Sequence, residues 1–370
     1  MGNTINRLIC VSSINQIIVA LACLRYNERE NETYNDYLIV NNAGTNDSAF
    51  NMIMKICKAC HNFIKIIDFR NELAGFKKSR EQESSIRKIV SSPRSISGLR
   101  SELFKQVEPA SISEIYLRYK LNLPEHLILK TFSDAEIFLF EDGLHEYVKQ
   151  GYNKRGLKYY MVKCMYRFKE DNFLRNFFLR YKYEERISNR FSVIYDDEIY
   201  TNIKKHYKYV LEEVSLRNGL RNLTNKDCIL LILHRYSEFT GGIIQRNISI
   251  SDELKYYEKL LRKISIVYPE KEIIVKAHPN TSQKLFREYS KLFGSSLIER
   301  IQDVPSEVLI ALPEIKIVIG ALSSSLLYAK ECFGKEVFFL FPSFLENVKI
   351  WEASEEALLR YGIFEMKEEE

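Results

Sequence analysis

The sequence predicts an α/β protein built as two parallel-sheet domains, on three observations. Short apolar runs alternate with helical spacing through the first 140 residues, the alternation resumes near Lys226, and 370 residues suffice for two separate cores. Residues 7–11 form an apolar run ending in Ser12-Ser13. Ile14, Ile17, Ile18, Leu21 and Leu24 follow at helical spacing, so the chain opens as strand, loop, helix. The same spacing predicts strands over 37–40 and 64–69 with a helix over 47–63 between them, the pattern of a parallel sheet with crossover helices. Residues 71–110 are polar and serine-rich and give no clear element. Strands over 114–117 and 135–140 then flank a helix over 124–132, and the second of these strands runs into Glu141-Asp142-Gly143.

Residues 145–222 carry aromatic and charged residues at mostly helical spacing and read as a basic helical insertion linking two halves. The second half opens with a continuous apolar strand over 228–233. Leu254, Tyr257, Leu260, Leu261 and Ile264 mark a helix, and a strand over 272–275 leads into Lys276-Ala277-His278-Pro279. Helices over 282–293 and 304–312 follow, the latter with Pro305 in its first turn, where a missing N–H costs nothing. A strand over 315–319, a helix over 323–332, a strand over 337–341 and an amphipathic helix around 351–359 complete the chain. No internal repeat is visible.

Composition narrows the class. Hydrophobic residues at 46% and charged residues at 28% are ordinary for a folded domain, no apolar run reaches membrane-span length, and the amino terminus lacks the pattern of a signal peptide. A cytoplasmic location is expected. Seven scattered cysteines read as reduced thiols, and Cys57 and Cys60 share a helical face with Phe50, Ile53 and Ile64, which favours core packing over redox or metal chemistry. The net charge of +5 is unevenly spread: residues 149–190 hold twelve Lys or Arg against four Asp or Glu, interleaved with Tyr and Phe. Such a run suits a polyanion or the anionic inner face of a membrane, and it also suits a plain solvated helix face. There is no Walker-type phosphate loop and no Gly-x-Gly-x-x-Gly after the first strand, which removes support for nucleoside triphosphate and NAD chemistry. Asp196-Asp197-Glu198 reads as a solvated turn.

In open parallel sheets, ligands bind beyond the carboxyl ends of the strands, and three polar clusters fall at such ends. Glu141-Asp142-Gly143 offers two carboxylates, either able to act as general base toward a sugar hydroxyl, beside a glycine that permits close approach. His278, its backbone restricted by Pro279, can donate a hydrogen bond or proton to a departing phosphate; a loop histidine bonded to backbone is the plainer reading. Gly320-Ala321-Leu322-Ser323-Ser324-Ser325 opens a helix, where hydroxyls and free N–H groups attract phosphate, although serine is also an ordinary N-cap. Glu307 lies one short element earlier, suited to accept from two ribose hydroxyls. Ser12, Ser13, Asn15 and Gln16 sit at the first strand-to-helix loop, able to touch acceptor or donor sugar or simply to cap the helix.

The order acid-acid-Gly, Lys-x-His-Pro, Glu-Val-Leu, Gly-x-x-Ser-Ser resembles the bacterial GT-B sialyltransferases, the lipooligosaccharide sialyltransferases and capsule polysialyltransferases among them. Residues 140–148 resemble the family's aromatic-acid-acid-Gly-x-x-Glu-Tyr-Val pattern, and residues 306–328 its nucleotide-binding stretch. The resemblance implies two Rossmann-like domains facing each other across a cleft: an acceptor-side domain over 1–222 containing the 145–222 insertion, a nucleotide-sugar domain over 223–345, and a helix over 346–370 packing back across the interface. It implies inverting transfer of sialic acid from CMP-sialic acid to the glycan of a bacterial surface polysaccharide, with no metal and no cofactor. Asp142 or Glu141 would be the base and His278 would serve the leaving group. Lys276, Pro279, Glu307, Ser323, Ser324 and Ser325 would bind the donor nucleotide, the serines holding its phosphate and Glu307 the ribose; Gly143, Asn15 and Gln16 would lie on the acceptor or donor-sugar side. Counting from Gly320 selects Ser323 and Ser324 for the phosphate, and counting back from Leu326 selects Ser324 and Ser325. A Glu at position 141, where the family often has Asp, favours the polysialyltransferases. Expected partners are the donor and the acceptor glycan, with peripheral membrane or anionic-glycan association through 149–190 and no nucleic acid. The clusters fit a CMP-Kdo or CDP-glycerol transferase equally well, and a non-catalytic glycan-binding protein could share the fold.

Overall fold

The computed structural model describes residues 3–41, 47–73, 98, 101–107, 112–118, 123–141, 186–191, 204–212, 226–238, 248–278, 281–297, 304–342, 344 and 349–366. Among these, residues up to 207 form one compact unit and residues from 208 onward the other.

The first unit is a six-stranded, all-parallel sheet in the order β3-β2-β1-β4-β5-β6. Its strands are β1 (Thr4–Val11), β2 (Thr33–Val40), β3 (Lys65–Asp68), β4 (Glu114–Arg118), β5 (Glu136–Phe140) and β6 (Ile187–Phe191). Helix α1 (Ile14–Tyr26) is capped by Ser13, whose hydroxyl accepts from the Gln16 N–H, and every residue from Gln16 to Leu24 is buried, as the unbroken apolar run from Ile17 to Leu24 requires. Helix α2 (Asp47–Cys60) ends three residues before the expected 63. Its Cys57 and Cys60 are buried, and burial pushes the Cys57 thiol up to about 12, which suits packing and not thiolate chemistry. On one face of the sheet, Leu8, Cys10, Ile39, Ile115 and Leu117 pack with Leu103 and Val107 of a helical segment at 101–107 and with Leu127 and Ile128 of helix α3 (Leu123–Thr131).

Strand β6 adds a strand to the stretch over 145–222, whose spacing reads as mostly helical. Its central residues Ser188, Asn189 and Arg190 are polar because an edge strand buries little, and pairing with β5 supplies what hydrophobic pattern does not. Two contacts fix it. Phe191 stacks on Phe138 with centroids 5.9 Å apart, and one Arg186 nitrogen donates 2.7 Å bonds to the carbonyls of Phe132 and Ala135. Arg186 is therefore framework, although the sequence placed it in the basic run; most of that run, like Asp196-Asp197-Glu198, lies outside the described residues.

The second unit is a five-stranded parallel sheet in the order β11-β10-β9-β7-β8. Its strands are β7 (Cys228–Ile232), β8 (Glu272–Lys276), β9 (Ile315–Ala321), β10 (Glu336–Leu340) and β11 (Phe364–Glu365). Its helices are α4 (Ile250–Val267), α5 (Gln283–Phe293), α6 (Ser306–Ile310), α7 (Ser324–Phe333) and α8 (Lys349–Arg360). Serines cap three of them: Ser249, Ser282 and Ser323 accept from the N–H groups of Asp252, Leu285 and Ser325. Gly334 ends α7 at φ 61, a left-handed conformation that costs glycine little. The strand order reverses between β1 and β4 in the first unit and between β7 and β9 in the second, which marks the ligand-binding edge of each sheet. No helix among the described residues is long and apolar enough to cross a membrane.

Candidate active site

At the switch point of the second sheet, three loops leave neighbouring strands. β8 ends at Lys276, and Ala277 and His278 follow; Lys276 is buried with its Nζ 3.5 Å from the Ala277 carbonyl, and His278 is half-buried. Burial, with Arg235 and Lys276 nearby, lowers the His278 imidazole to about 4, so it is neutral at physiological pH and presents one N–H. Pro279 lies outside the described residues.

After β9, the serine turn divides its work. Ser323 is the N-cap of α7, its hydroxyl accepting from the Ser325 N–H at 3.3 Å and lying 3.3 Å from the Ser325 hydroxyl. Ser325 in turn donates to Glu307 Oε1 at 2.7 Å. Glu307, in the first turn of α6, is 8% exposed and held by this relay. Ser324, half-buried at the first position of α7, has a hydroxyl with no hydrogen-bond partner among the described residues. It is also the serine common to both ways of counting the motif. Gly320 has a packing reason: a Cβ there would stand 3.2 Å from Ile232 Cβ, so the glycine lets β9 close on β7.

After β7 comes His234, which the sequence reading passed over. Its ring centroid lies 5.7 Å from that of His278, and burial together with His278 lowers it to about 4. The turn that follows is built around Glu253. This wholly buried carboxylate of α4 accepts from the N–H groups of Tyr236 at 3.0 Å and Ser237 at 2.8 Å. Glu238 accepts from the Ser282 N–H at 3.1 Å, tying the loop after β7 to the loop after β8.

The first unit presents its own polar ends. Glu141 follows β5, is 1% exposed, and has its backbone N–H bonded to the Phe191 carbonyl of β6 at 3.2 Å, so the unpredicted edge strand fixes its position. Asp142 and Gly143 lie outside the described residues. Asn15 accepts from the Tyr207 hydroxyl at 3.2 Å. Gln16 is 2% exposed and turns back, its carbonyl oxygen accepting from Ser12 N–H at 2.6 Å and Ser12 Oγ at 2.9 Å, which makes it a brace for the loop after β1.

The profile of the alpha-2,8-polysialyltransferase family matches residues 7–341. The chain belongs to this family. A polysialyltransferase-family chain is a glycosyltransferase of the sialyltransferase class, and the match runs through both sheets. The chain is also similar to solved structures. UDP-GlcNAc 2-epimerase from Neisseria meningitidis bound to UDP-GlcNAc is 8% identical with a TM-score of 0.50, over 99% of this chain and 88% of that one. A sialyltransferase from Photobacterium damselae, residues 113–497 corresponding to its GT-B domain, is 12% identical with a TM-score of 0.42, over 99% and 98%. A UDP-N-acetylglucosamine 2-epimerase from Listeria monocytogenes is 11% identical with a TM-score of 0.47, over 97% and 87%. No curated protein matches the chain.

Of three features of this polysialyltransferase-family chain that the sequence motifs leave out, one was legible in principle. His234 directly follows an apolar strand, the same signal that singled out His278. Glu253 is an acid in a helical first turn, common on surfaces, and only the structure reveals that it is buried. A third, the Arg118 Nε bond to Glu125 Oε1 at 3.0 Å, joins β4 to α3 near the switch point of the first sheet and has no local sequence signature.

Proposed function

We propose that this sialyltransferase uses CMP-sialic acid as donor and elongates an acidic glycan of a bacterial surface polysaccharide, with inversion and without a metal ion. One observation carries the reading: His278 and the serine turn follow β8 and β9, the two strands that flank β7, and Ser325 of that turn braces Glu307, a set suited to a nucleoside monophosphate. Ser324 and His278 hold the phosphate, and Glu307 accepts from the ribose hydroxyls. In the transfer step a carboxylate of the Glu141–Asp142 pair takes the proton of the acceptor hydroxyl. That oxygen bonds to the anomeric carbon as the bond from that carbon to the phosphate oxygen breaks, and the electron pair leaves with CMP. His278 donates to the oxygen that gains the charge. Attack opposite the departing CMP inverts the centre, so no covalent enzyme intermediate is needed. Because imidazole and hydroxyl hydrogen bonds stabilise the phosphate charge, EDTA leaves the rate unchanged; loss of activity restored by magnesium overturns that assignment. The basic run over 149–190 binds the acidic acceptor at the inner face of the membrane.

Incubation with isotope-labelled CMP-sialic acid, CMP-Kdo and CDP-glycerol tests the donor. Transfer from the sialyl donor alone is expected; turnover only with another donor sinks the assignment. Loss of transfer in Asp142→Ala and His278→Ala separates an enzyme from a glycan-binding relative.

A further inference from the structure

We propose that His234 is a second phosphate-binding histidine of the donor site, reaching a non-bridging oxygen of the same phosphate that His278 and the serine turn hold. The inference rests on the proposed donor reading and adds to it a residue that no motif assigns.

Sheet order carries the argument. Strand β7 lies between β8 and β9, so the loop after β7 lies between the His278 loop and the serine turn. The register makes this quantitative. Ile232 is opposite Lys276 on one side and Gly320 on the other. Two residues further along each chain are His234, His278 and Leu322, with Ser323 next. The Leu233 N–H still bonds the Lys276 carbonyl at 2.9 Å, so β7 and β8 stay paired up to the residue before His234. A phosphate spanning the His278 and serine loops therefore crosses the end of β7, where His234 stands.

The backbone of His234 is clamped. Its N–H donates to the Tyr257 hydroxyl at 2.9 Å, and its carbonyl accepts from the hydroxyls of Tyr257 at 3.1 Å and Tyr289 at 2.8 Å. Its ring is stacked on Tyr236, with centroids 4.9 Å apart, and lies 5.7 Å from the His278 ring. Loops on both sides also bury hydroxyls that find no partner among the described residues: Tyr236 after β7 and Thr281 after β8. Polar groups left this way in a folded core point to a polar occupant. Two neutral imidazoles side by side do not repel, and each offers an N–H to an anion; as the donor bond breaks, the phosphate gains a second negative charge for them to meet.

The test compares CMP with cytidine. Loss of a charge-assisted hydrogen bond predicts that His234→Ala weakens CMP binding about tenfold or more while cytidine binding stays the same. His234→Gln, which keeps an N–H donor, recovers part of the loss. His278→Ala and Ser324→Ala under the same comparison report on the donor site itself. If those two weaken CMP selectively and His234→Ala does not, the inference fails and the donor reading stands. If His234→Ala weakens CMP and cytidine alike, or His234→Gln recovers nothing, the residue is structural and the inference is overturned. If the wild-type chain does not bind CMP, or no variant separates CMP from cytidine, the donor reading fails and takes the inference with it.

Discussion

The Ser325 hydroxyl donates to Glu307 Oε1 across 2.7 Å, so in the proposed donor site this serine orients a carboxylate and Ser324 is the one assigned to the phosphate. Removing it leaves the buried Glu307 oxygen without that donor, a loss of about 1–3 kcal/mol in a buried setting. Ser325→Ala is accordingly expected to weaken CMP and cytidine together by roughly tenfold, because the ribose contact loosens. Ser324→Ala is expected to weaken CMP alone. Calorimetric titration of both ligands into both variants decides, and the opposite pattern would return the phosphate role to Ser325.

Acid sensitivity follows from the histidine pair. Burial first, then neighbouring cations, lowers His234 and His278 from 6.5 to about 4, so between those values the unfolded chain binds protons that the folded chain refuses. Stability is therefore complete above pH 6.5 and falls as pH drops toward 4, with a slope of up to about 1.4 kcal/mol per pH unit for each histidine. Urea unfolding at pH 7 and pH 5 measures it. His234→Gln and His278→Gln each flatten the slope; a slope equal in wild type and both variants contradicts the assignment.

A buried ion pair braces the other end of the first sheet. Arg7, wholly buried in β1, donates through Nε and Nη2 to the two Asp36 oxygens at 2.5 and 2.7 Å, and Tyr34 covers the guanidinium at 3.9 Å. His61 Nε2 meets the same carboxylate at 2.5 Å, and these partners overcome burial to hold Asp36 below the usual carboxylate range. Breaking such a pair strands a charge: Asp36→Asn is expected to cost about 3–5 kcal/mol in unfolding free energy, and an Arg7→Met/Asp36→Leu double replacement much less. Denaturant midpoints of the three proteins test this, and equal losses in the single and double variants would refute it.

The parts of the fold legible in the sequence are those where the chain's own pattern decides. Cys228–Ile232 is apolar throughout because both of its faces are covered, and α1 announces itself by period and by Ser13. Strand β6 and the two-residue β11 stayed hidden, since edge elements take their stability from a neighbour and bury little of their own. The candidate site divides the same way. His278 and the serine turn follow apolar strands and could be read, whereas the roles within Ser323–Ser325 depend on which hydroxyl meets Glu307, a contact across eighteen positions of sequence. The bracing of Gln16 onto Ser12 is local but competes with several other loop geometries, so its direction needed coordinates.

Glu141 and Asp142 directly follow β5 in the sequence. Glu141 is almost wholly buried and its backbone is pinned by β6 through the Phe191 carbonyl, so the pair begins from a fixed point. A general base contributes to the transfer step and not to holding the nucleotide, and its removal typically costs about 10²–10⁴ in rate. Glu141→Gln and Asp142→Asn should therefore differ: the variant lacking the base loses transfer by that factor while CMP affinity stays within about twofold, and the other loses far less. Initial rates with saturating donor, set beside CMP titrations of the same preparations, identify which is which. A parallel fall in CMP affinity in both variants would remove the base from this pair and place its function in donor binding.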